Sequence, residues 1–474
     1  MVVASPVAAG DTSTKLEIQP TNISSRPSSL QAPETNGRAN AQPKVQKIAD
    51  VISQLAAEEI EKANTSPRAA KRQGRRRRGR RRRPAKTDLS LAVSIENRSY
   101  FNDAAFAGQL NHFQPSVILA PDFRWETGDR KHTVAISPFA RLDTRDNQRT
   151  HFDLREAYYR YVGNEWEALV GLTRVFWGVT EGRHLVDIIN TPDGVEDIDG
   201  EDKLGQPMAK LSLLKDWGKL DVFLLWGFRP QTFPGENGRL RPPVFVDPDE
   251  AQFDFGLRRG RPGAAIRYTH TVGAVDIGLS YFHGPGREPD FTLAASGDRV
   301  SPIYKVINQG GVDIQYTGDS LLLKAEAIVR EGQGQTFAAA VAGFEYTAYG
   351  LIGDADVGFL MEYLYDGRDS FSFTAPGVDI ATFETPAPPT AFENDIFIGA
   401  RLGMNNPQAA GALIGAVIDA DDGSSLVSIE ASQRLGANWL AEFEARLFIN
   451  IAAEDQLAIF ADDDFATLRL TRYF

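Results

Sequence analysis

From Asp88 to the last residue the chain repeats one pattern: long stretches in which apolar and polar side chains alternate. In "LSLAVSIE", Leu89, Leu91, Val93 and Ile95 alternate with Ser90, Ala92, Ser94 and Glu96. In "LLLKAEAIVR", Leu321, Leu323, Ala325, Ala327 and Val329 oppose Lys324, Glu326 and Arg330. In "DIFIGARLGMN", Ile396, Ile398, Ala400, Leu402 and Met404 oppose Asp395, Arg401 and Asn405. In "WLAEFEARLFIN", Trp439, Ala441, Phe443, Ala445, Leu447 and Ile449 oppose Glu442, Glu444 and Arg446. A period of two is the mark of a strand with one apolar and one polar face. Strands in soluble sandwiches run about 5 to 6 residues. These reach about 10 to 14, enough to cross a bilayer at a tilt.

The connections select the architecture. The alternation places strands near 88–97, 111–126, 131–143, 151–162, 165–176, 207–215, 219–228, 263–271, 273–283, 309–317, 320–331, 336–349, 353–367, 391–404, 409–419, 424–434, 437–450 and 464–474. Tight turns such as "TGDR", "DWGK", "TGD", "GLIG" and "LGAN" alternate with long loops at 177–206, 229–262, 284–308, 368–390 and 451–463. Short turns at one end and long loops at the other are the pattern of a transmembrane antiparallel β-barrel, all-β, here of about eighteen strands, with sixteen as the count if the segment 252 to 271 is merged. The phase puts the short turns in the periplasm and the long loops outside. Tyr and Phe gather near strand ends, as in "YYRYVGNEW" and "MEYLYDG", where amphipathic rings suit membrane interfaces. The chain closes on Tyr473 and Phe474, a terminal aromatic like that of the signal read by the barrel-assembly machinery. Arg472 lies on the parity of Phe474, and snorkelling toward head groups is its expected behaviour.

The first 86 residues differ. They carry 18 Lys plus Arg and 7 Asp plus Glu, a net of +11, so the remaining residues carry -12 - 11 = -23. Residues 1–43 are too polar to bury a core and are expected to be disordered. Val45, Ile48, Ile52, Leu55 and Ile60 recur at helical spacing, so a short helix is expected near 44–63. "KRQGRRRRGRRRRPAK" then ends a basic extension, 1–86, ahead of the barrel, 87–474. Such a run binds polyanions through released counterions, but a periplasmic extension meets head groups or the barrel's own acids, and nucleic acid is not expected as its partner. "MVVASPVAAG" reads either as the end of a signal peptide whose start would lie upstream or as an ordinary disordered terminus. There is no cysteine, which excludes disulfides and thiolate metal sites. No apolar stretch is long enough for a transmembrane helix, which leaves a barrel open.

Four blocks then become recognisable: "RVFWGVTEGRHLVDIIN" (174–190), "DGEDKLGQPM" (199–208), "RPQTFPGENGRLRPP" (229–243) and "GFEYTAYG" (343–350). They resemble blocks of an uncharacterised family of proteobacterial porin-like outer-membrane proteins, similar in architecture to alginate-export porins. The resemblance spans roughly 88 to 474 and implies an outer-membrane barrel, with no substrate to carry over. "NTPDGVED" departs from that family's more usual run.

Loop 177–206 is the candidate constriction. It sets eight acids against Arg183 and Lys203, a net of 2 - 8 = -6. Glu181, Asp187, Glu196, Asp197, Asp199, Glu201 and Asp202 are its candidate residues. Folded inward, they would favour cations as charged rings do in channels; left outside, they would be a solvated loop. "DIDGED" has part of a calcium loop but lacks the distant bidentate Glu. No histidine sits in a zinc spacing and there is no G-x-S-x-G elbow, so neither metal nor cofactor nor enzyme activity is expected. Candidate lumen residues are Arg141, Arg155, Arg267, Asp313, Lys324, Glu326, Glu345, Glu362, Asp395, Arg401, Glu442, Glu444 and Arg446. The expected function is passage of small polar solutes, with a mild cation or sugar preference, in an outer membrane rich in lipopolysaccharide. The alternatives are an anchor that acts through its basic tail and, further off, a barrel hydrolase with a Ser–His pair built across strands.

Overall fold

The computed structural model describes residues 84–294, 299–368 and 387–474. The expected helix near 44–63 and the arginine run lie outside these residues. Period-two segments form strands β1 Lys86–Tyr100, β2 Phe113–Glu126, β3 His132–Asp143, β4 His151–Val162, β5 Trp166–Thr173, β6 Gln206–Lys215 and β7 Gly218–Leu225. Two loops contribute β8 Gln252–Phe253, β11 Asp290–Leu293 and β12 Val300–Tyr304, around β9 Gly263–Val272 and β10 Val275–Pro285. The chain continues through β13 Val306–Thr317, β14 Leu321–Glu331, β15 Phe337–Ile352, β16 Ala355–Asp366 and β17 Asn394–Gly403. It ends with β18 Gly411–Asp419, β19 Ser425–Leu435, β20 Trp439–Ile449 and β21 Phe465–Tyr473.

All but β8, β11 and β12 join one antiparallel sheet of 18 strands, each hydrogen-bonded to its neighbours in chain order. The sheet closes where β21 pairs with β1, from Ala92 opposite Tyr473 to Tyr100 opposite Phe465. Closure leaves no strand edge, which a lipid environment requires. Phe474 extends the seam, exchanging backbone hydrogen bonds with Leu91 at 3.0 and 3.3 Å. Arg472 lies over the rings of Trp439 and Phe474, 5.4 and 4.5 Å from their centroids.

Every strand expected from the alternation is present, with boundaries moved by a few residues. β5 stops at Thr173 rather than 176 because the loop's own Asn190 takes over its backbone partners: its amide donates to the Thr173 carbonyl at 3.0 Å and accepts from Val175 N–H at 2.8 Å. Between β3 and β4 the register slips at Ser137/Pro138, since proline has no N–H to give the ladder.

The two faces of the sheet differ as the alternation requires. Leu89, Ile95, Leu224, Val329, Ile398 and Leu468 are exposed on the outside. Trp166, Trp217, Tyr268, Tyr349 and Trp439 ring the short-turn end, and Phe113, Phe152, Trp226, Tyr281 and Tyr365 the long-loop end. The hydroxyls there are satisfied: Tyr268 donates to the Trp217 carbonyl at 2.5 Å and Tyr281 to Asn308 Oδ1 at 2.8 Å. The inward face is buried and mixed: charged side chains such as Arg141, Glu326 and Arg446 share it with apolar ones such as Phe223, Ile328, Leu364 and Phe397, which cluster with Val186, Ile188 and Ile189 of the segment after β5. β8, β11 and β12 form a separate three-stranded sheet. It was not legible in the sequence, and it joins the two long loops after β7 and β10.

Candidate functional site: a loop tied across the lumen

Residues 174–205, between β5 and β6, make an inner loop held by opposing walls of the barrel. Val179–His184 lie against β14, β16 and β17. Glu326 of β14 accepts Val179 N–H at 2.6 Å, the Thr180 hydroxyl at 2.8 Å and Val186 N–H at 3.1 Å. Glu362 of β16 accepts Glu181 and Gly182 N–H at 2.8 and 2.7 Å. Two wall carboxylates thereby satisfy backbone donors that an irregular segment would otherwise leave unpaired. Arg183 pairs with Asp366 at 2.9 Å, and Glu181 with Arg401 at 2.8 Å.

Asp193–Asp199 face the other wall. Glu196 receives Arg141 of β3 at 2.5 Å, and Asp197 receives Arg98 of β1 at 2.8 Å. Arg446 of β20 reaches Asp199 at 2.8 Å, and Arg155 of β4 reaches Asp193 at 2.9 Å. Behind this row Glu96 of β1 accepts from Arg141, Arg149 and Arg469 at 2.6, 2.9 and 2.7 Å. Within the loop, Asp187 pairs with Lys203 at 3.4 Å and Glu201 with His184 at 3.7 Å. Six of the seven candidate acids therefore have a cationic partner within 4.0 Å, and only Asp202 has none among the described residues.

The loop's electrostatics follow from this. Burial alone would raise the Glu196 and Asp197 carboxyls. Arg141 beside the first, and Arg446 and Arg98 beside the second, instead hold each down at about 2. Burial would lower the His184 imidazolium, but Glu201 and Glu326 hold it up at about 9. Asp199 is pushed up to about 7 by burial and by Asp197.

The candidate lumen residues all lie on barrel strands. Arg141, Arg155, Lys324, Glu326, Glu362, Arg401 and Arg446 touch the inner loop through the contacts above and the Lys324–Glu181 approach of 3.8 Å. Glu345 sits between Lys324 at 3.5 Å and Arg401 at 4.0 Å. Arg267 and Asp313 pair at 2.8 Å across β10. That contact requires Gly278 between them, where a Cβ would stand 2.3 Å from the Asp313 carboxylate. Arg267 also covers the Trp177 ring at 5.0 Å. Glu444 accepts from Arg446 at 2.7 Å, Glu442 lies opposite Arg469, and Asp395 lies opposite Asp419. Sequence reasoning did not single out Glu96, Arg98, Arg149 or Arg469. Glu96, Arg98 and Arg469 read locally as further polar positions in alternating strands, and Arg149 as a turn residue between β3 and β4.

A second loop, 226–262, reaches the loops of the far wall. Arg239 pairs with Asp463 at 2.5 Å, donates to the Asn111 carbonyl at 2.8 Å and lies over the Tyr100 ring at 4.6 Å. Gly235 N–H donates to the Asp146 carboxylate at 2.9 Å.

Two groups bring three ligand atoms within 4.8 Å of one another: His151, Asp193 and Glu196, and Asp419, Asp422 and Asp455. The first is already neutralised by Arg141 and Arg155 and does not suit a cation. The partial calcium motif is likewise spoken for, since Asp197 and Asp199 turn toward Arg98 and Arg446.

No protein-family model and no curated protein matches the chain in sequence. Among solved structures, the chain is similar to Escherichia coli Wzi, an outer-membrane carbohydrate-binding β-barrel involved in group 1 capsule assembly. The identity is 10%, coverage is 80% of this chain and 83% of that one, and the TM-score is 0.45. Pseudomonas aeruginosa OpdO matches at 10% identity over 82% and 96% of the two chains, with a TM-score of 0.46. P. aeruginosa OccK9 (OpdG) matches at 11% over 82% and 97%, also with a TM-score of 0.46.

Proposed function

We propose that the protein is a porin-like channel of the bacterial outer membrane, passing small polar solutes by diffusion through a lumen narrowed by the inner loop. A closed barrel with an apolar outside, aromatic rings at both ends and a charged interior supports this reading. On the same reading the short turns and the N-terminal extension face the periplasm. The observation that carries the proposal is the inner loop itself: ion pairs tie it to opposite walls, so it sets the width of the path. Its acids are largely matched by arginines, so size governs selection there, and neutral hydroxylated solutes such as sugars are the favoured class. The mild cation preference is assigned instead to the acidic rim at the long-loop end.

The test is planar-bilayer recording and sugar-driven liposome swelling with the folded, full-length protein. Discrete ion-permeable openings, and swelling that falls as the sugar grows, are expected. A folded protein that gives neither would overturn the proposal.

A further inference from the structure

Thirteen Lys and Arg side chains are buried among the described residues, and eleven have a carboxylate within 4.0 Å. Of the other two, Arg241 spends its N–H groups on the carbonyls of Glu236, Pro242 and Pro243. Arg287 is different. It is 3% exposed, and its only hydrogen bond among the described residues runs from Nε to the Ile188 carbonyl of the inner loop, at 3.1 Å. Its guanidinium carbon lies over the Phe228 and Phe282 rings, 5.3 and 5.2 Å from their centroids. The neighbouring acid, Glu288, is turned to Arg330, Arg368 and Arg183 at 2.6, 3.1 and 3.7 Å.

A charge taken out of water normally needs a counter-charge. Two ring faces supply part of that stabilisation, and the carbonyl takes one donor. The end-on fork of two Nη groups keeps its hydrogen-bonding capacity, and that planar fork matches two oxygens of a carboxylate or phosphate. Burial with no acid alongside also pulls the guanidinium down, to about 9, a penalty that an arriving anion would relieve.

We propose that Arg287 anchors a binding site for the oxyanion of a small carboxylate- or phosphate-bearing solute, between the inner loop and the loop that follows β10. Phe228 and Phe282 pack against the guanidinium and the Ile188 carbonyl takes its Nε–H, which leaves the two Nη groups for a bidentate ligand. This goes beyond passage of neutral solutes, because it gives the lumen a point of affinity for anions.

The experiment is calorimetric titration of the folded, full-length protein in detergent with inorganic phosphate and, separately, with acetate, against a constant chloride background. Saturable binding of at least one is expected, with a stoichiometry of one. Arg287→Gln is expected to weaken it by about 10- to 100-fold, the effect of losing charge-assisted hydrogen bonds. Arg287→Lys keeps the charge without the fork, and should bind with intermediate affinity. Should the Gln variant fail to fold, the Lys variant decides alone, and an unchanged affinity counts against the site. Saturation by phosphate only assigns phosphoryl solutes, by acetate only carboxylates, and by both the shared oxyanion. No saturable heat from either probe, or equal binding by Arg287→Gln, would overturn the proposal and leave Arg287 as a pin for the inner loop. No passage is involved, so binding without conductance would sink the channel reading and spare this one.

Discussion

Arg141 is the residue on which the inner loop most depends. Its guanidinium joins Glu96 on the wall to Glu196 on the loop, at 2.6 and 2.5 Å. Arg141→Met leaves buried Glu196 with only His151 at ion-pair distance, 3.5 Å, and with Arg149 and Arg155 acting from further off, while Glu96 keeps Arg149 and Arg469. Breaking one partner of a buried pair costs about 3 to 5 kcal/mol, and the surviving partners place this case near 3 in equilibrium unfolding by urea. The same contacts set a pH window. Glu196 and Asp197, held at about 2, contribute stability that is complete above the ordinary carboxyl value of about 4. That contribution is lost as pH falls toward 2. His184, held at about 9, contributes fully below the ordinary imidazole value of about 6.5 and loses it as pH rises through 9. Asp199, raised to about 7, adds a penalty that begins above the ordinary carboxyl value of about 4 and is complete above 7. The loop is therefore held best at about pH 4, and current fluctuations should grow below it and, in steps, above it as Asp199 and then His184 lose their protons. His184→Gln should remove the alkaline step near 9 and leave the acid arm intact. An alkaline arm unchanged in that variant would reject the His184 assignment.

At the scale of elements, the inner loop is separable from the barrel that holds it, because every strand pairs with its neighbours without its help. Replacing residues 179–199 by a short Gly-Ser turn should raise single-channel conductance severalfold while the folded band survives in cold gel electrophoresis. A barrel that fails to assemble would show instead that the loop's ion pairs organise the wall. The strands were legible in the sequence for a physical reason: a face against lipid and a face toward the lumen alternate residue by residue, as in Leu321 to Arg330, even though Leu322 and Ile328 share the inward face with Lys324, Glu326 and Arg330. The acid run of the inner loop was visible too. Its pairings were not: Arg141, Arg401 and Arg446 are legible as lumen residues, but they and Arg98 come from β1, β3, β17 and β20 and meet the loop only through closure. Nor was the small sheet: β8 and β12 have 2 and 5 residues, too few for a period to register. Arg287 carried no signal, since what sets it apart is the acid it lacks.

For the molecule as a whole, the question is where its negative charge acts. Most of the inner loop's acids are paired with arginines, whereas segments 391–395, 419–424 and 450–464 hold ten Asp and Glu and no Lys or Arg. These segments lie together at the long-loop end, as the approach of Asp419, Asp422 and Asp455 demonstrates. Crowding there has a titration signature: Glu393 is pushed up to about 7 by burial and by Asp366, and Asp455 to about 6 by burial and by Asp422. A rim of one sign concentrates counter-ions at the mouth, an effect that reaches about 30 Å at 0.01 M salt and only 3 Å at 1 M. Reversal potentials should accordingly report a potassium-over-chloride preference in dilute salt that fades toward unity in 1 M. Asp419→Asn with Asp422→Asn should reduce the dilute-salt preference without changing the high-salt conductance. Acidification from pH 7.5 to 5.5 should act the same way, as Glu393 and then Asp455 take up protons. Were the preference to survive 1 M salt undiminished, the selecting charge would have to lie in the narrow lumen rather than at the rim. Glu181, Glu345 and Asp202 would then be the first side chains to neutralise, because screening is weakest where the path is tightest.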